Sequence, residues 1–111
     1  MSESKYIDME SALTRVGGNK GLYEKLLAKF DGSFDMQAFD SAIESGDYQS
    51  AGDIAHSAKG VAGNLSLTAF FDQSVIVMDQ LREGNYDKDS VDKFRQLYSE
   101  TKTAINELLG N

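Results

Sequence analysis

The residues able to do chemistry lie together in AGDIAHSAKGVAGNLSL, residues 51–67. This stretch holds the one histidine of the chain, His56, with Lys59 three residues on. It also holds Gly52, Gly60 and Gly63 inside a helical pattern. A helix-interior glycine costs about 1 kcal/mol relative to alanine, so three cost ~3 kcal/mol against a total stability of about 5–15 kcal/mol. A neutral imidazole is a nucleophile, and with an ordinary pKa of about 6.5 an exposed ring is partly neutral near pH 7. It can attack an activated phosphoryl group, and a lysine one turn away can pair with the phosphoryl oxygens. The plainer role for Lys59 is a solubilising charge.

Other chemistries fit less well. One histidine without cysteine supplies too few ligands for a zinc site. The carboxylates are scattered and form no calcium-loop signature. Ser57 points about a quarter turn away from His56, and no oxyanion-hole turn is recognisable, which argues against a Ser-His-Asp arrangement. No GxxxxGK[ST] segment is present, so no nucleotide site and no cofactor is expected. The formal net charge of −7 argues against sequence-independent nucleic-acid binding and against an anionic membrane surface. The N-terminal MSESKYIDMESAL has no apolar run long enough for a signal peptide or a span. The expectation is one soluble, cytoplasmic, monomeric domain over residues 1–111.

Helices must position these residues. The apolar spacing is helical throughout, and the absence of proline permits long helices. Asp8 caps a short first helix that Gly17 and Gly18 end. Asn19 caps a second, with Leu22, Leu26, Phe30, Phe34, Ala38 and Ala42 every four residues up to Gly46; Gly32 and Ser33 could divide it. Asp47 caps the helix that carries His56. A further helix runs from about Thr68 to Arg82, and a last one starts at Asp89 or Ser90. The fold class expected is all-α: an antiparallel up-and-down four-helix bundle with a short additional N-terminal helix. A second stripe on the second helix, Met36, Phe39 and Ile43, is either covered by the first helix or exposed as a binding patch.

On a wheel of about 100° per residue, Ala51, Ile54, Ala58, Val61, Ala62 and Leu65 cluster as the core face, with Ala55 on its flank. His56 points almost opposite. Its neighbours three, four and seven residues away are Gln49, Gly52, Asp53, Lys59, Gly60 and Gly63. The expectation is that all three glycines share the histidine's outer face and clear it for a partner's surface. Gln49, Gly52, Asp53, Gly60 and Gly63 are then the partner-binding residues.

The segment AHSAKGVAGNLSL resembles the phosphoacceptor segment of histidine-containing phosphotransfer domains, whose pattern is close to A-H-x-L-K-G-x-A-G-x-L-G. Ala55, His56, Lys59, Gly60, Ala62, Gly63 and Leu65 match. The upstream ALTRVGGNKGLYEKLLAKF is similar to the stretch that opens bacterial members. The resemblance implies a four-helix bundle with the phosphorylated histidine exposed in mid-helix. It implies phosphoryl exchange with receiver-domain aspartates of response regulators or of a hybrid sensor kinase, with magnesium held by the receiver. His56 is then the phosphorylated nucleophile, Lys59 assists, and Gly60 and Gly63 leave room. Ala58 departs from the usual leucine and needs a larger neighbour, and Ser66 departs from the usual glycine at the helix end. The alternative is a helical adaptor that docks a partner without phosphoryl chemistry.

Overall fold

The computed structural model describes residues 6–110. Within them the chain is helical and no strand is formed. The order is α1 Met9–Arg15, α2 Lys20–Ala28, a 3-10 turn Phe30–Gly32, α3 Met36–Ser45, α4 Tyr48–Asn64, α5 Thr68–Arg82 and α6 Lys88–Leu109. Side-chain caps set most starts: the carboxylate or amide oxygens of Asp8, Asn19, Asp35 and Asp47 each accept a backbone N–H three residues on, at 3.0–3.1 Å. Such caps satisfy donors that the first helical turn leaves unpaired. Asp87, rather than Asp89 or Ser90, caps α6.

The helix expected from Asn19 to Gly46 is two helices. The break falls at the 3-10 turn, where the Ser33 hydroxyl donates to the Phe30 carbonyl and Asp35 restarts the chain. The interruption changes which side faces in. Tyr23, Leu27 and Phe30 are buried, whereas Leu22 and Leu26 remain 43% and 38% exposed. The stripe of Met36, Phe39 and Ile43 is the inner side of α3. Phe39 is fully buried with its ring 4.9 Å from Phe94 of α6, and Met36 and Ile43 are half-buried. The stripe is therefore neither an open patch nor the seat of α1. Helix α1 lies against α2 and the end of α4, where the Asp8 N–H donates to the Ser66 carbonyl at 2.9 Å.

Contacts between named residues give the helix directions. Gly52 near the start of α4 meets Leu81 and Arg82 at the end of α5, and Gly63 near the end of α4 meets Phe71 near the start of α5. These two helices run oppositely. Gln73 donates to the Ser90 carbonyl and Phe70 stacks on Phe94, so α5 and α6 also run oppositely. Between them lies an aromatic cluster of Phe30, Phe34, Phe70, Phe94 and Tyr98, with ring centroids 5.2–5.9 Å apart. Helix α4 contributes only small buried residues: Ala51, Gly52, Ala55, Ala58 and Ala62. Ala58 is fully buried in the common core. Among the described residues no helix is long and apolar enough to cross a membrane.

The end of α4 is pinned from outside. The buried Tyr23 hydroxyl donates to the Leu65 carbonyl at 2.5 Å, and burial, then the nearby Asp8 charge, push its pKa up to about 12. Tyrosine in an unfolded chain ionises near 10. Below pH ~10 both states are protonated and stability is complete; as pH rises toward ~12 the unfolded state loses its proton first. Stability should fall through that window by about 2–3 kcal/mol and then level off. Tyr98, also raised by burial and by donation to Asp31, adds to the fall. Urea midpoints across this range should decline less steeply in Tyr23→Phe; parallel profiles would contradict the assignment.

Candidate functional site

His56 stands exposed at the middle of α4. Among the described residues no hydrogen bond or ion pair engages its ring. The helix beneath is built to hold still. Asp47 caps it with two acceptors, and hydrogen bonds from Ser50, hydroxyl first and backbone second, hold the Asp47 carboxyl below its usual pKa. The other end closes as a Schellman motif: the Leu67 N–H reaches the Ala62 carbonyl at 2.9 Å and the Ser66 N–H the Gly63 carbonyl at 3.3 Å. Ser66 takes φ +58°, a left-handed conformation that L side chains adopt at a cost of about 1–2 kcal/mol. Its hydroxyl meets that of Ser11 at 3.1 Å, tying α1 to the end of the histidine helix.

The buried face is rotated from the expected one. Ala55 and Gly52 lie at its heart, and Ile54 and Val61 are only half-buried. The three glycines consequently differ, which corrects the expectation that all share one open face. Gly60 is exposed, and a Cβ there would meet nothing within 4 Å. Gly63 is half-buried, and a Cβ would lie 3.3 Å from the Phe71 ring. Gly52 is buried, and a Cβ would lie 3.3 Å from Cγ of Arg82 and 3.6 Å from Cβ of Leu81. Gly52 is thus a packing glycine that lets α5 approach α4.

Gln49 and Asp53 are exposed as expected, on the turns before His56. Asp53 pairs with Arg82, Oδ1 to Nη2 at 3.7 Å. Lys59 is half-buried. A long lysine stem commonly lies on apolar surface while its ammonium stays in water. Continuing the register from Gly52–Arg82 to Gly63–Phe71 sets Met78 level with His56 and Val75 level with Lys59. The histidine face is therefore the rim of a two-helix surface. Arg82 and Phe71 belong to it, and spacing along α4 could not reveal either.

A groove of about 200 Å³ between α1, α4 and α5 reaches Gly63 and Phe71, with Ser11 and Arg15 on its α1 side. Another, of about 260 Å³, lies between α2 and α6 beside Leu27, Phe30, Asp31 and Lys102, and holds no residue of the histidine face. Among the described residues no three histidine, aspartate or glutamate side chains gather as a metal site. Compared with protein-family models, curated proteins and solved structures, the chain matches none.

Proposed function

We propose that this protein is a phosphorelay intermediate of two-component signal transduction, with His56 as the phosphorylated nucleophile. The observation that carries the reading is a lone, unengaged imidazole in mid-helix, with an open glycine four residues on and a lysine three residues on. In the forward step the unprotonated ring nitrogen of His56 attacks the phosphorus of a receiver's aspartyl phosphate. The N–P bond forms, the P–O bond breaks, and the aspartate leaves as a carboxylate with the electron pair. The reverse step passes the phosphoryl group to another receiver. The receiver holds magnesium, and this chain supplies the nucleophile and Lys59. The helices following α1 then act as an antiparallel up-and-down four-helix bundle, with α2 and α3 together forming one arm. The protein works as a cytoplasmic monomer whose partners are response-regulator receivers or a hybrid sensor kinase. Ser66 supports the reading: it stands where the phosphotransfer pattern has glycine, and its left-handed backbone is one that glycine adopts without strain.

The test is incubation with a labelled, phosphorylated receiver. Label that is acid-labile and alkali-stable on this chain is expected; acid-stable label, or none from any receiver, would sink the reading. Partner binding without label would point to a helical adaptor instead.

Gly60→Phe separates access from stability. A Cβ at Gly60 is unobstructed, and phenylalanine is the better helix former by about 0.5 kcal/mol, so the variant should melt no lower than the parent. Its ring should hold a docking receiver off the imidazole. Displacing reacting atoms by about 1 Å can cost 100-fold, so transfer should drop by roughly that factor. Full-speed transfer in this variant would remove the steric account of Gly60.

A further inference from the structure

Arg82 stands in the last turn of α5, where a cation suits the helix end, and its side chain reaches across to the histidine helix. Its ion pair with Asp53 is long, at 3.7 Å, and both side chains are largely in water, 46% and 65% exposed. Pairs of that kind contribute little to stability. Yet the arginine stem is seated with care. It crosses α4 at Gly52, where a Cβ would lie 3.3 Å from its Cγ, a tight contact. The next loop is tied to α4 as well, through the stacked rings of Tyr48 and Tyr86, 5.7 Å apart and 11° from parallel. The stem thus passes Gly52 and the guanidinium reaches Asp53, residues four and three before His56 and so about one helical turn back along α4. Lys59 occupies the turn on the other side. A planar guanidinium suits the oxygens of a phosphoryl group, which it can grip with two N–H donors.

We propose that Arg82 is a second phosphoryl-binding cation of this surface. It releases Asp53 when His56 is phosphorylated and holds the phosphoryl group from the N-terminal side, opposite Lys59. Asp53 parks the guanidinium in the unphosphorylated protein, and Gly52 is the seat that keeps its stem within reach. No covalent bond of Arg82 changes; it exchanges one carboxylate partner for phosphoryl oxygens. The proposal rests on His56 being the phosphoacceptor.

The full-length protein can be phosphorylated with phosphoramidate, a small donor that transfers its phosphoryl group to imidazole and releases ammonia. The phosphohistidine is then followed by phosphorus NMR across pH. A neighbouring guanidinium favours the dianion, so Arg82→Gln should raise the proton affinity of the phosphoryl group about two- to fivefold, the range of an exposed ion pair. Arg82→Lys should recover part of the shift, and thermal melting should not follow the series. A midpoint identical in parent and Arg82→Gln, with both labelled on histidine, would overturn the role of Arg82 alone. Absence of phosphohistidine in the parent would overturn the phosphoacceptor reading and this proposal together. Loss of phosphohistidine confined to the His56→Gln control, with the Arg82 shift present, is the supporting result.

Discussion

Replacing His56 with glutamine should reduce label received from a phosphorylated receiver to background while leaving the fold intact. The side chain is exposed, and its ring makes no hydrogen bond or ion pair among the described residues, so unfolding free energy should change by less than about 0.5 kcal/mol. Glutamine keeps a polar side chain of similar reach but has no basic ring nitrogen, and an amide nitrogen is no nucleophile. The chain has no other histidine and no cysteine to take over. Loss of label should therefore be complete, in contrast with the graded effects expected at Arg82 and Gly60. Circular dichroism and a urea titration on the same samples separate loss of chemistry from loss of structure. Equal labelling of the two proteins would place the accepting group elsewhere.

Phe70→Ala should lower stability by about 3–5 kcal/mol, the range for deleting a buried phenylalanine. Phe70 is fully buried, and its ring lies 5.9, 5.8, 5.2 and 5.9 Å from those of Phe30, Phe34, Phe94 and Tyr98. Truncation removes contacts to the 3-10 turn region and α6 together, and leaves a void inside the aromatic cluster. Against a total of about 5–15 kcal/mol, such a loss is a large fraction of the whole. Urea unfolding should show it as a lower midpoint. Phe70→Leu should fall between the two, because leucine retains much of the volume. A loss below about 1 kcal/mol would mean that the surrounding rings close over the gap. At temperatures where Phe70→Ala remains folded, transfer by His56 should be near normal.

Much of the local structure was legible in the residues. Asp8, Asn19 and Asp47 cap where their types and positions predict, because capping is decided within four residues. The outward direction of His56 followed from helical period alone. Other features were not legible. Gly32 and Ser33 marked where the four-residue run from Leu22 to Ala42 divides, but not the consequence: α2 turns Tyr23 and Leu27 inward and leaves Leu22 and Leu26 exposed. A wheel assumes that the most apolar side is the inner one. On α4 the inner side was chosen by smallness, and Gly52 and Ala55 displaced Ile54 and Val61 from its centre because α5 lies close.

The sequence by itself determined a helical chain in which one histidine stands outward with a lysine one turn away. Those are properties of neighbours within a turn or two, fixed by backbone period and capping. Tertiary structure decided what the three glycines do. It made Gly52 a seat for Arg82, backed Gly63 with Phe71 and left Gly60 open. It also brought Arg82 to the histidine face from a position 26 residues further along the chain. The physical reason is that the register between α4 and α5 is set by which side chains interlock across the two helices. That information lies in the pair of surfaces and in neither helix alone.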